Sequence, residues 1–230
     1  GYEVKINLED RVLTKAELIE SIKDVDGVLC LLTDPIDREV LAAAKKAKVF
    51  ANYAVGYNNI DIKPASELGI IVTNTPGVLT DATADLAWAL LFSVARRVVE
   101  ADKFTREGKF DGWAPNMFLG GDITGKTLGI VGAGRIGMAT ALKSQGFDMK
   151  VLYTGNSVNK TLEEKISAQK VDLETLLKES DFVSLHVPLN EKTKHLIGKD
   201  ELNKMRKTAY LINTARGLVV DEVALIEALK

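Results

Sequence analysis

The sequence of 230 residues contains one cysteine, Cys30, and two histidines. A single cysteine excludes an intramolecular disulfide and any metal site built from several cysteines. Chains without disulfides are typical of a reducing compartment, so the cytoplasm is the expected location. With histidine also scarce, we expect no metal centre.

The sequence also lacks a strong net charge and a long apolar run. Its formal net charge is −2, so it has no overall field that would attract nucleic acid or an anionic membrane surface. The longest apolar run, residues 86–95, is about half of the roughly 20 residues that a membrane span needs, and Arg96 and Arg97 follow it directly. We therefore expect neither nucleic acid nor membrane as a partner.

Short β-branched runs alternate with helical stretches along the whole chain, and most of the runs are apolar throughout. Strands that are buried on both faces belong to parallel sheets covered by helices, which predicts an α/β fold with βαβ connections. The predicted strands are 27–33, 48–52, 70–73, 127–131, 150–153, 181–187 and 209–213.

Helical periodicity predicts helices between these strands and one unusually long helix over residues 81–108. Thr80 or Asp81 can cap that helix and Gly108 can end it. The other predicted helices are 14–23, 36–45, 135–145, 173–179 and 221–230. Two parallel-sheet domains of Rossmann-like or flavodoxin-like type are therefore expected, over residues 1–76 and 77–230, both incomplete.

A glycine-rich motif follows the apolar strand 127–131 and opens a helix. Gly132 would permit the tight turn, Gly134 the close approach of a pyrophosphate, and Gly137 the packing of helix on strand. The free N–H groups at the helix start would bind the pyrophosphate. This strand–turn–helix context predicts dinucleotide binding.

The segment after the next strand should lie beside the adenosine ribose. An NAD-binding domain usually has an Asp or Glu there, but this sequence has TGNSVNK at 154–160, with Thr154, Gly155, Asn156 and Ser157 directly after the strand and Lys160 at the end. Without a carboxylate a 2′-phosphate is not repelled, which favours NADP(H). NAD(H) bound without the usual carboxylate remains the alternative.

Two further segments follow predicted strands and could bind an anion. Arg216 comes after strand 209–213, where its guanidinium could bind a carboxylate and polarise a neighbouring carbonyl; a helix-capping or salt-bridging arginine is the alternative. Gly56 follows strand 48–52 and could expose backbone N–H groups. An asparagine-rich turn before a helix capped by Asp61 explains the same residues without a function.

Five separated motifs together resemble the D-2-hydroxyacid dehydrogenases, most closely the glyoxylate/hydroxypyruvate reductases. They are AVGYNNID at 54–61, NTPGVLTD at 74–81, GAGRIG at 132–137, HVPL at 186–189 and NTARG at 213–217. The resemblance covers essentially the whole chain. It implies hydride transfer between a nicotinamide and the carbonyl carbon of a small 2-keto acid, with residues 1–76 in a substrate domain and 77–230 in a dinucleotide-binding domain.

The resemblance also implies roles for individual residues. Arg216 matches the family's substrate-binding arginine, and Val55 and Gly56 match its carboxylate-binding loop. Cofactor contacts are implied for Arg135 and Ile136 at the pyrophosphate, for Val187, Pro188 and Thr193 near the adenosine, and for Thr214, Ala215 and Arg216 near the nicotinamide. The long helix would form much of a homodimer interface.

The sequence departs from the family in one respect that matters for catalysis. The family's general acid is a histidine paired with a glutamate, both well beyond the arginine, whereas this chain ends at Lys230. A structural or solvent-facing role is expected for His186 and for His195, which lies on a predicted helical connection; a role as the proton donor is the alternative. We therefore expect a chain shortened at both ends, with low or no activity. A non-catalytic dinucleotide-binding module, acting in redox sensing or partner binding, is the alternative.

Overall fold

The computed structural model describes Gly1 and residues 3–230, which divide into two compact units. Unit 1 is Gly1–Val78 and unit 2 is Leu79–Lys230. Each unit contains a sheet whose strands all run parallel, connected through helices. The α/β fold with parallel sheets predicted from the sequence is confirmed.

Unit 1 alternates helices and strands from residue 15 onward. Its elements are α1 (Lys15–Ile22), β1 (Gly27–Cys30), α2 (Arg38–Ala43), β2 (Val49–Asn52), α3 (Ile62–Glu67) and β3 (Ile71–Thr73). The strands pair in the order β1-β2-β3. Local capping fixes where the first two helices begin: Thr14 and Glu17 form a capping box, and Asp37 accepts hydrogen bonds from the N–H groups of Glu39 and Val40.

The strands of unit 1 are buried on one face only, so the expectation of two covered faces is wrong for this sheet. Val28, Phe50 and Val72 form one row across the strands and pack against the helices. On the opposite face Leu29 is 75% exposed and Ile71 is 62% exposed. The helices of this unit pack on the Phe50 row, which leaves the outward apolar side chains uncovered.

Unit 2 begins with two helices and continues as a parallel sheet with helical connections. Its elements are α4 (Thr80–Ala95), α5 (Val98–Arg106), β4 (Thr127–Val131), α6 (Arg135–Leu142), β5 (Lys150–Thr154), α7 (Lys160–Ile166), β6 (Gln169–Lys170), α8 (Leu173–Glu179), β7 (Phe182–Leu185), α9 (Lys199–Lys204), β8 (Tyr210–Asn213) and α10 (Glu222–Ala228), with short 3₁₀ helices at Lys143–Phe147 and Gly217–Val219. The strand order is β6-β5-β4-β7-β8, so the chain changes direction across the sheet at β4.

Both faces of the unit 2 sheet are covered. Leu128 and Ile130 of β4 point to a core that includes Trp88 and Leu91 of α4. The alternate residue Val131 joins a second core on the other face, together with apolar residues of α8 and β7. The prediction of strands buried on both sides holds for this sheet, where every residue of β7 is buried.

The single long helix predicted over residues 81–108 is wrong, because the structure has two helices there. The Ala95 carbonyl accepts a hydrogen bond from the Gly121 N–H at 2.8 Å, and a Cβ at Gly120 would overlap that carbonyl oxygen. Arg97 then adopts a left-handed conformation with φ 54° and α5 starts at Val98. The first helix is capped by Leu79, without a side-chain hydrogen bond, and not by Thr80 or Asp81.

Candidate nucleotide and substrate site

The turn between β4 and α6 has the geometry that a bound pyrophosphate requires. Gly132 has φ 96°, and a Cβ at Gly137 would overlap the Gly132 carbonyl oxygen, so the helix can approach the strand only with glycine at both positions. Gly134 is the N-cap residue of α6 and has open space where a Cβ would stand. The first N–H groups of α6, from Arg135 and Ile136, have no partner within the helix. These features fit a dinucleotide phosphate.

The segment after β5 lies against this glycine turn. The Gly132 N–H donates to the Thr154 carbonyl at 3.0 Å, and a Cβ on Gly155 would stand 3.7 Å from the Ala133 nitrogen. Asn156 and Ser157 follow Gly155 and are exposed. Residues 154–160 therefore border the glycine turn without bringing a carboxylate to it.

The segment after β7 borders the other side of the turn. A Cβ at Gly132 would press on Val187 and on the His186 carbonyl, so this segment is packed against the glycine. Pro188 is exposed, and its carbonyl accepts a hydrogen bond from the Thr193 hydroxyl at 2.5 Å. The sequence-predicted adenosine residues Val187, Pro188 and Thr193 therefore share one loop next to β4.

The two histidines lie in different surroundings. The Nε2 atom of His186 is 2.9 Å from the Ser184 hydroxyl, and burial lowers the pKa of the imidazole to about 4, so His186 is neutral near pH 7. His195 lies in a turn with φ 52° and not on the predicted helical connection. Its N–H donates to the Leu218 carbonyl, and its ring nitrogen is 4.0 Å from Asp221.

The loop after β8 is organised by a single asparagine. Asn213 accepts a hydrogen bond from the Ala215 N–H at 3.0 Å and donates to the Arg216 carbonyl at 2.9 Å. The Arg216 side chain is half-buried, and its guanidinium donates to the Ala215 carbonyl. Within the described residues the buried hydroxyl of Thr214 has no hydrogen-bond partner, which is expected where a ligand supplies one.

The sheet topology brings these residues to one edge. The candidate cofactor residues follow β4, β5, β7 and β8, which are neighbours in the sheet, and all of them lie at or beyond the carboxyl ends of their strands. The chain changes direction across the sheet between β4 and β7, and open parallel sheets bind ligands beyond the carboxyl ends of the strands at such a point.

In unit 1, hydrogen bonds from asparagine side chains hold the loop after β2 in place. The Asn52 amide donates to the Gly56 carbonyl at 2.7 Å, and the Asn74 amide donates to the Val55 carbonyl at 2.8 Å. Because the C=O and N–H groups of a trans peptide point in opposite directions, the N–H groups of Gly56 and Tyr57 face away from these amides. Two adjacent N–H groups of this kind can bind an anion.

Sequence reasoning missed the asparagines that hold these loops. Asn59 pairs its amide with Asn52 and also donates to the carbonyls of Leu31 and Asp34. Asn74 and Asn213 play similar roles after β3 and β8. For Asn52, Asn74 and Asn213, the available signal was an asparagine at or directly after the end of a strand. Among the described residues there is no cluster of His, Cys, Asp or Glu that could hold a metal, and no helix is long and apolar enough to cross a membrane.

Comparison with known proteins identifies the family of this fold. Residues 88–230 match the model of the D-isomer specific 2-hydroxyacid dehydrogenase, NAD binding domain. The chain belongs to the D-2-hydroxyacid dehydrogenase family. The resemblance inferred from the five motifs is thereby confirmed, and the cofactor class of this D-2-hydroxyacid dehydrogenase is a nicotinamide dinucleotide.

Individual relatives agree with this assignment. A glyoxylate reductase of Thermococcus litoralis is 55% identical over 233 residues, an alignment that covers all of this chain and 70% of the relative. The crystal structure of the TT0316 protein from Thermus thermophilus superposes with a TM-score of 0.89 at 46% identity, covering 95% of this chain and 69% of that one. A D-lactate dehydrogenase from Aquifex aeolicus, complexed with NAD and lactic acid, matches with a TM-score of 0.85 at 31% identity, over 92% of this dehydrogenase chain and 62% of the other.

Proposed function

We propose that this chain transfers a hydride between NADP(H) and a small 2-keto acid such as glyoxylate or hydroxypyruvate, with the D-2-hydroxy acid as the reduced product. The observation that carries the proposal is the carboxyl edge of the unit 2 sheet, where the glycine turn follows β4 and the unpartnered Thr214 hydroxyl and Arg216 follow β8 of the same sheet. The similarity to a glyoxylate reductase supports the substrate class.

In this proposal each loop binds one part of the ligands. The N–H groups of Arg135 and Ile136 bind the pyrophosphate, the loop with Val187, Pro188 and Thr193 borders the adenosine, and Thr214 and Ala215 border the nicotinamide. The bound nicotinamide supplies the hydride. Arg216 binds the substrate carboxylate through two hydrogen bonds and polarises the adjacent carbonyl. In unit 1, the loop at Val55 and Gly56 offers the backbone N–H groups of Gly56 and Tyr57 to a carboxylate.

NADP(H) is favoured because the loop after β5 carries no negative charge. Thr154, Ser157 and Asn156 offer hydrogen-bonding groups, and Lys160 at the start of α7 adds a positive charge. These groups would attract a 2′-phosphate, whereas an Asp or Glu in their place would repel it.

Turnover by the 230-residue polypeptide itself should be slow. Reduction of a ketone requires a proton at the carbonyl oxygen as the hydride arrives, and removal of a general acid costs about 10²–10⁴-fold in rate. The imidazole of His186 is half-buried, and burial lowers its pKa to about 4, which supports the view that it does not supply this proton.

Fluorescence titration with NADPH and NADH tests the cofactor assignment. We expect both nucleotides to bind, NADPH more tightly; failure of both to bind would refute the function, and tighter binding of NADH would refute the NADP preference.

Steady-state oxidation of NADPH by glyoxylate should be slow, and fast oxidation would contradict the assignment of His186.

The role of Arg216 is tested separately with an unreactive mimic of a 2-keto acid. Arg216→Ala should abolish binding of oxamate to the nucleotide-loaded protein, because the bidentate partner of its carboxylate is lost. Arg106→Ala removes an exposed arginine of α5 and should leave that binding unchanged.

We also propose that the protein forms a homodimer through α4. One face of α4 packs into the unit 2 core, while Leu86, Leu90 and Val94 form an exposed apolar stripe on the helix. Leu90→Glu should convert the dimer to a monomer in light scattering after size-exclusion chromatography, whereas Leu68→Glu, at an exposed position of unit 1, should not. A wild-type monomer would refute this proposal.

The cytoplasm is the proposed location. The one cysteine, Cys30, is buried and has a free thiol whose pKa burial raises to about 11, which suits a reducing environment. Fractionation of cells that produce the protein would test this location.

A further inference from the structure

We propose that Asn159 is a positioning residue for cofactor choice, because its side chain fixes the loop of residues 155–158 to the glycine turn. This inference rests on the proposed nucleotide binding by unit 2. It concerns a residue outside the glycine motif, within the segment 154–160 that borders the glycine turn, and it assigns that residue a positioning role rather than a contact with the ribose.

Hydrogen bonds join Asn159 to three different parts of unit 2. Its amide donates to the Ala133 carbonyl in the glycine turn at 2.9 Å. Its side-chain oxygen accepts from the Leu162 N–H and caps α7. Its own backbone N–H donates to the Tyr153 hydroxyl at 2.9 Å. The residue therefore joins a helix start, a strand and the glycine turn.

The Tyr153 side chain, to which the Asn159 N–H donates, is itself held in place. Its side chain is fully buried, and its hydroxyl donates to the Glu163 carboxylate at 2.7 Å, which leaves the oxygen free to accept from Asn159. The same contact engages the carboxylate of Glu163, an acidic residue in the first turn of α7. The position of Asn159 is thus determined from the buried side of the sheet.

The loop 155–158 is held by the glycine turn at both of its ends. At the first end the Gly132 N–H donates to the Thr154 carbonyl, and at the second end Asn159 donates to the Ala133 carbonyl. The four residues between them are exposed. The spacing between this loop and the phosphate-binding turn, which determines whether a 2′-phosphate fits, depends on both attachments.

The hydrogen bond from the Asn159 amide to the Ala133 carbonyl also orients part of the phosphate-binding turn. Because the Ala133 carbonyl is held by Asn159, the N–H of Gly134 in the same trans peptide points in the opposite direction, away from the loop. Asn159 therefore influences both the loop 155–158, where a 2′-phosphate would bind, and the start of α6.

Asn159→Ser removes the amide donor while retaining a side-chain oxygen that can cap α7. Loss of one hydrogen bond that positions the loop should weaken binding of adenosine 2′,5′-bisphosphate about fivefold and that of adenosine 5′-monophosphate less than twofold, measured by calorimetry on the 230-residue protein. Asn159→Asp keeps the size and the capping oxygen but replaces the donor with an acceptor. It should shift the ratio of the two nucleotide affinities in the same direction as Asn159→Ser.

Asp172→Ser is the matched control, because Asp172 caps α8 in the same manner and serine retains the cap. It should leave the affinity ratio of the two nucleotides unchanged. Hydrogen exchange of the ligand-free protein should become faster over residues 155–158 in Asn159→Ser and not in the control.

The outcomes separate the two proposals. If the wild type binds neither nucleotide, the proposed function fails and this role fails with it. If the wild type binds and Asn159→Ser weakens both nucleotides equally, or weakens neither, the function stands and the positioning role is refuted.

Discussion

The two parallel sheets of this protein differ in how many of their faces are covered. In unit 2, β4 lies between one core that includes α4 and another that includes α8. In unit 1, the helices pack on the row that contains Phe50, and Leu29 and Ile71 point outward on the other face. The strands of both sheets are similar in composition, so an apolar strand shows that one face is buried and says little about the other.

The difference has an energetic meaning. Burial of apolar surface stabilises a fold by about 25 cal/mol per Å², so a leucine in the unit 2 sheet contributes much more than a leucine on the open face of unit 1. Substitutions of leucines at matched positions in the two sheets can measure this difference in stabilisation. Both tryptophans, Trp88 and Trp113, belong to unit 2, so their emission reports on that unit alone.

The largest difference is expected between two leucine truncations. Leu152→Ala in β5 should lower the free energy of unfolding by about 3 kcal/mol, because the side chain is 1% exposed and its loss leaves a cavity. Leu29→Ala in β1 should change it by less than about 0.5 kcal/mol. Urea denaturation followed by circular dichroism and by tryptophan emission measures both; equal effects would contradict the difference between the sheets.

The pH dependence of unit 2 should be the next largest effect. The pKa of His186 is lowered to about 4 by burial, below its unfolded value near 6.5, so the unfolded state binds the proton more readily and stability falls as the pH drops from 6.5 to 4. The loss in the free energy of unfolding should be on the order of 3 kcal/mol. Histidine is absent from unit 1, which therefore has no equivalent contribution.

This pH effect can be assigned with two variants. His186→Gln should flatten the pH dependence of unfolding measured by tryptophan emission, whereas His195→Gln retains His186 and should keep the wild-type slope. A slope that survives in His186→Gln would show that another group is responsible.

The polar core of unit 1 should give a smaller effect. Asn52→Ala removes the donor to the Gly56 carbonyl and leaves part of the Asn59 amide pair unmatched, which should cost about 2 kcal/mol. Far-UV circular dichroism should show the loss while the emission of Trp88 in unit 2 is unaffected. Asn7→Ala, at an exposed position of the same unit, is the control; an equal loss there would argue against the network.

The smallest change in stability is expected on the open face itself. Leu29→Lys should alter the free energy of unfolding by less than about 0.5 kcal/mol while it reduces the fluorescence of an apolar dye bound to the native protein. The equivalent substitution of Leu152 would unfold unit 2. Unchanged dye fluorescence in Leu29→Lys would mean that the dye binds elsewhere.

The parts of the fold that were predictable are those determined by neighbours in sequence. The strand 127–131 and the helix start at Arg135 follow from an apolar run and a glycine turn, and the structure has both. The break at Arg97 was not predictable, because it depends on a hydrogen bond from Gly121 to the Ala95 carbonyl. The strand β6 contains two polar residues and has no apolar signal.

The same division applies to the candidate site. The residues with distinctive chemistry, such as Arg216 and the glycines, stand out in the sequence because their spacing is specific. The asparagines that hold the loops do not, since an asparagine after a strand also suits an ordinary turn. Their partners, such as the Ala133 carbonyl for Asn159, are backbone atoms that no side-chain pattern identifies.

The strand order of the two sheets has a consequence for synthesis of the chain. Each strand after β4 pairs with one that precedes it in the sequence: β5 and β7 pair with β4, β6 with β5, and β8 with β7. The order β1-β2-β3 has the same property. As the polypeptide leaves the ribosome, each of these strands finds its neighbour already made, so the pairs within β1–β3 and within β4–β8 can form in the order in which the strands are synthesised.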